Sequence, residues 1–136
     1  MANTVAKDVL LEGDRHAFTR FYAISDGATG DLTDEAVIEM SDLANDPDAV
    51  TVQRIWYSCV GCDAKMEWNG LPDRECWTLA EDSDQFDFRS VDGLYNVTDW
   101  QGNPGFNDGT IKMTTSGFAT AGDAITLYML LKKEFA

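Results

Sequence analysis

Short alternations of apolar and polar residues, broken by glycine, aspartate and asparagine, run along this chain from end to end. A side-chain period of two marks a strand with one face in a core, and no stretch sustains the helical period. Near the N-terminus Val5, Lys7, Val9 and Leu11 fall on one face, and Ala6, Asp8, Leu10 and Glu12 on the other. After Gly13-Asp14 a second strand is predicted over residues 16–25, with Phe18, Tyr22 and Ile24 on one side. Residues 26–31 read as a loop, because Gly27 and Gly30 supply the positive φ that tight turns need. Ala36, Ile38 and Met40 then alternate with Glu35, Val37 and Glu39, until residues 43–49 break the run with Asn45-Asp46-Pro47-Asp48.

Residues 50–59 are the stretch densest in β-branched and aromatic side chains. Val60-Gly61 can turn the chain, so residues 62–69 are expected to return as the partner strand of a β-hairpin. Shorter strands are predicted over residues 75–80 and 86–90. Residues 91–108, rich in Gly, Asn and Asp, are expected to form one long ordered loop. The chain closes with strands over 109–115 and 124–135, joined by residues 116–123. About eight strands at this spacing predict an all-β, single-domain β-sandwich over residues 1–136, jelly-roll-like in architecture. Residues 1–8 would serve as a contact arm or an edge strand, since chain ends are free to reach neighbours.

Composition narrows the partners. The chain has 136 residues, one domain's worth, and 44% hydrophobic content, enough to build a packed core. Its 24 acidic against 10 basic residues give a formal charge of -14. Nucleic acid is not an expected partner, because phosphate binding draws on clustered Lys and Arg. An anionic membrane surface is excluded by the same sign of charge. The first residues carry no basic flank and no apolar stretch of secretory length, which predicts no signal peptide. Three cysteines without a signal fit a reducing compartment.

Candidate chemistry is sparse. Cys59 and Cys62, with Cys76 further on, could hold a metal, since a C-x2-C turn brings two thiolates onto one ion. A structural site needs two more ligands in a paired spacing, and beyond these only His16 is left. The expectation is therefore apolar cysteines flanking a turn, with no cofactor. His16 is the one histidine, so any Ser or Cys nucleophile would depend on it. No motif of hydrolase, metalloprotease or phosphate-binding type is present, and a non-enzymatic protein is expected. Asp31 to Glu35, Asp46-Pro47-Asp48 and Asp82-Ser83-Asp84 are acidic clusters where calcium could bind, but none has EF-hand spacing. Trp56, Trp68 and Trp77 fall in predicted strands and are expected in the core. Trp100, with Tyr95 and Phe106, falls in the long loop, where aromatic side chains anchor interfaces or stack on sugars.

The order of several short motifs resembles a family of small virion structural proteins of tailed bacteriophages. The matching residues are 25–35, then Met40-Ser41-Asp42-Leu43, Phe86-Asp87-Phe88-Arg89 and Asp92-Gly93-Leu94. Thr114 to Phe118 and a closing apolar strand through Lys132-Lys133 complete the series, so the resemblance spans nearly the whole chain. It departs from the family at the Cys59–Cys62 turn and at the loop around Trp100. The resemblance implies a β-sandwich protein of the phage particle, most naturally a capsid decoration (cement) protein that binds the assembled head. Its partner would be the major capsid protein, its own state a dimer or trimer, and its location the virion surface after synthesis in the host cytoplasm. Contacts would fall on Ala2, Val5, Tyr95, Trp100 and Phe106. A neck or tail position stays open, and so does a carbohydrate-binding module using the aromatic and acidic loop.

Overall fold

A computed structural model describes residues 3–45, 47–69, 74–91, 93–94 and 110–134. The described residues form nine strands: β1 (Thr4–Glu12), β2 (His16–Ile24), β3 (Glu35–Ile38), β4 (Ala49–Val60), β5 (Asp63–Trp68), β6 (Arg74–Leu79), β7 (Asp82–Asp87), β8 (Ile111–Ser116) and β9 (Ala124–Glu134). Short 3-10 turns occupy Met40–Asp42 and Arg89–Val91. One sheet has the order β1-β2-β9-β4-β7 and the other β3-β8-β5-β6, and every pairing is antiparallel. With β1 set aside, the two four-stranded sheets have the strand order of a jelly roll, and β1 extends one of them as an outer edge.

The inner faces meet in one apolar core. Along β2 the inward positions are Ala17, Thr19, Phe21 and Ala23; along β9 they are Ile125, Leu127, Met129 and Leu131. Ala64, Met66 and Trp68 of β5 and Ile111 and Met113 of β8 face them from the second sheet. Each fully buried Leu, Ile, Phe or Met stabilises the fold by about 1.5–3 kcal/mol relative to exposure. Strand β4 contributes Val52 and then Ile55, Tyr57 and Cys59, a change from even to odd positions. A bulge between Val52 and Arg54 produces that change by letting Gln53 take no partner on β9.

Three expectations are corrected. Residues 50–59 and 62–69 do not form a hairpin. β4 pairs with β9 and β7, whereas β5 pairs with β8 and β6, so the chain passes from one sheet to the other at Gly61. Gly61 has φ +77, and Cys59 and Cys62 on either side of it both point into the core between the sheets. The strand expected at 86–90 is instead β7, residues 82–87. Asp87 ends that strand, and Phe88 already donates its N–H to the Gln53 carbonyl as the chain turns away. Finally, β3 stops at Ile38, and Met40 enters a 3-10 turn closed by a capping box between Glu39 and Asp42.

Candidate functional site

The outer face of the five-stranded sheet carries what the core strands do not use inward. On β2 these positions hold Phe18, Arg20, Tyr22 and Ile24; on β9, Thr126, Tyr128 and Leu130; on β4, Arg54, Trp56 and Ser58. None of these is a carboxylate, although the chain holds 24 acids, and two are arginines; Glu134, at the end of β9, is an acid on the same outward side. Register aligns Arg20, Tyr128, Trp56 and Gln85 in one row across four strands, and Tyr22, Thr126, Ser58 and Ser83 in the next.

Three rings form the centre of this face. Phe18 meets Trp56 edge-on, with centroids 5.7 Å apart and planes at 75°. It lies nearly parallel to Tyr128 at 5.9 Å and 14°. The Arg54 guanidinium sits 4.4 Å from the Trp56 ring centre, a cation–π contact that holds the indole in place. Arg54 also reaches Gln85 Oε1 at 3.3 Å and approaches Asp87 at 3.8 Å. Asp87 in turn is gripped by the Arg89 side chain, which pulls its carboxyl down to about 2. On the other flank Arg20 donates to Asp8 of β1 at 2.6 Å.

Beside the rings lies a shallow, open groove of about 520 Å³. Trp56, Ser58, Thr126 and Tyr128 line it from β4 and β9, and Ser83, Asp84 and Gln85 from β7. At the β1 end of the same sheet Leu10 and Leu11 are 42% and 71% exposed, with Leu11 paired opposite Phe18.

Val5 sits in β1 opposite Ala23, half-buried and packed on the core. Ala2, Tyr95, Trp100 and Phe106 lie outside the described residues. Cys59, Cys62 and Cys76 are buried free thiols. Burial pushes Cys59 up to about 12 and Cys62 to about 11, and raises Cys76 further. Burial thus disfavours the thiolate, the form that binds metal and attacks electrophiles. Among the described residues no group of three or more His, Cys, Asp and Glu is placed to hold a metal ion. His16 opens β2 at an exposed position. Asp31 binds its loop to the sheet, accepting from the Thr115 hydroxyl at 3.0 Å and the Phe118 N–H at 2.8 Å. Asp82 and Asp84 belong to β7.

The aromatic face was not singled out from the sequence. Its signal is that β2, β4 and β9 carry large apolar groups at outward as well as inward positions. Tyr22, Trp56 and Tyr128 are redundant for a strand buried on one side only. No protein-family model, curated protein or solved structure matches the chain. The class is therefore defined by the fold alone, an all-β jelly-roll sandwich with an added edge strand.

Proposed function

We propose that this chain is a non-enzymatic structural protein of a tailed-phage particle, a head decoration protein that attaches to the assembled capsid. The observation that carries the reading is an agreement of two kinds. The residues that resemble the phage family run from Ser25 to Lys133, and the fold they imply, a β-sandwich, is the fold the chain adopts. Jelly rolls also serve as shell-building domains of viruses, although fold alone does not dictate function.

A decoration protein stabilises a shell by binding its assembled form in preference to free subunits, so mass action favours assembly. With many copies on a particle, an interface of roughly 800 Å² on each partner suffices. The β1 edge offers a surface of that kind. Among the described residues no other strand pairs with its outer edge, and Leu10 and Leu11 stand exposed at its end. Exposed leucines on an edge strand invite association unless a partner covers them. In this reading the capsid or a second copy of the chain covers that edge, leaving the strongly acidic remainder facing solvent.

Purified chain added to shells assembled without it should bind to saturation and co-sediment with them. Leu11→Asp should reduce uptake while leaving the thermal midpoint of the free protein unchanged, because Leu11 contributes little to the core. Wild-type chain that fails to saturate the shells would sink the reading. Normal uptake of Leu11→Asp would instead move the contact away from β1.

A further inference from the structure

The groove beside Trp56 has a use that the decoration reading does not supply. Its lining is unusual for this chain in being almost uncharged. Ser58, Ser83, Thr126 and Gln85 bring hydroxyls and an amide, and Trp56 and Tyr128 bring aromatic surface, while Asp84 pairs with the inward Tyr57 and so alternates to the other side of β7. Within the described residues the side-chain hydroxyls of Ser58, Ser83 and Thr126 make no hydrogen bond to the protein, so they face the groove free to pair with a ligand. Gln85 has its carbonyl oxygen engaged by Arg54, which fixes the amide and leaves its NH2 group to donate. The indole is held from two sides by Phe18 and Arg54, so the wall is set before anything binds.

We infer that this groove is a binding site for a neutral saccharide. A sugar offers apolar C–H faces to aromatic rings and many hydroxyls that both donate and accept, which is what the lining requires. The volume of about 520 Å³ falls within the range of small-ligand sites. The nearest cation, Arg54, is already engaged by the Trp56 ring, Gln85 Oε1 and Asp87, so an anionic ligand finds no free positive charge there. A purely apolar ligand would strip water from three hydroxyls and an amide without replacing their hydrogen bonds. The site lies on a sheet face built from β4, β7 and β9. It stands independently of the virion reading.

The test is isothermal titration of the purified full-length chain with a panel of neutral oligosaccharides: glucans, mannans, galactans and N-acetylhexosamine oligomers. Saturable binding to at least one class is expected. Ser83→Ala and Gln85→Ala lie at an exposed edge strand, fold normally, and should each weaken binding several-fold. Trp56→Ala should weaken it by about tenfold or more, the loss of a central aromatic contact. The inference is overturned if no oligosaccharide binds saturably. It is equally overturned if Ser83→Ala and Gln85→Ala both bind unchanged.

Discussion

Lys133 has no exposed side-chain surface, and its ammonium is held by three partners. Glu12 lies 2.6 Å away, and the carbonyls of Gly13 and Ala44 accept at 2.9 and 3.1 Å. This clamp ties the β1–β2 turn to the segment after the first 3-10 turn. The Lys133 hydrogen bond also holds the Glu12 carboxyl below its ordinary value. A carboxyl lowered on folding adds stability above its unfolded value and loses it as pH falls through the folded one. Asp26, held down to about 2 by the Thr29 hydroxyl and neighbouring N–H groups, and Asp87 behave the same way. Stability should therefore decline between about pH 4 and pH 2. Glu12→Gln leaves a buried ammonium without its counter-charge and should cost about 2 kcal/mol at neutral pH. Denaturant titrations across pH should show a shallower acid decline for the variant. Gly61 is a second residue with no substitute. A Cβ there would lie 2.2 Å from Asp123 Oδ1, on a backbone at φ +77. Gly61→Ala should lower stability by about 1–3 kcal/mol, seen as a shifted urea midpoint at constant slope. The buried thiols should stay unreactive toward a disulfide reagent in native protein and react fully once it is unfolded.

At the scale of elements, alternation made the strands legible and left their partners hidden. The positions of β2, β4, β5, β6 and β9 follow from local period and breakers to within a residue or two. Strand β7 did not, because Asp82-Ser83-Asp84-Gln85 has no apolar alternation to read. It is an edge strand, exposed along most of its length, and its place is set by backbone pairing to β4. The hairpin expected across Val60-Gly61 fails for a related reason. A two-residue turn with glycine fits a hairpin, yet the same chemistry serves a crossing between sheets when both flanking residues point inward. Sequence cannot separate the two, because Cys59 and Cys62 look alike in either arrangement. The bulge at Gln53 is also invisible locally, although it alone lets Val52 and Ile55 share the core. Deleting Gln53 should turn either Val52 or the Ile55–Cys59 run outward, and should cost at least as much as Leu127→Ala, about 2–5 kcal/mol by thermal denaturation.

For the whole molecule, two long-range facts decide the architecture. Ala17 pairs with Leu131, and β4 lies between β9 and β7, so the sheet is assembled from both ends of the chain at once. Alternation predicts a sandwich of about this many strands but says nothing of such pairings, which depend on which inner faces fit together. The candidate site was less legible than the fold. Cysteines, acidic clusters and the loop tryptophan drew attention because they are conspicuous in one dimension. Trp56, Tyr128 and Phe18 are far apart in sequence and become a site only when β2, β9 and β4 lie side by side. Charge has the same character: a total of -14 hides one face whose aromatic centre, around Phe18, Trp56 and Tyr128, holds arginines and no acid. That face and the exposed β1 edge are where the proposed contacts would fall on an otherwise strongly acidic molecule. The central claim, attachment to a phage head, is tested most directly by counting this chain in purified particles by quantitative mass spectrometry against the major capsid protein. The account predicts many copies in a simple whole-number ratio to the capsid subunit. Complete absence from the particle would contradict it.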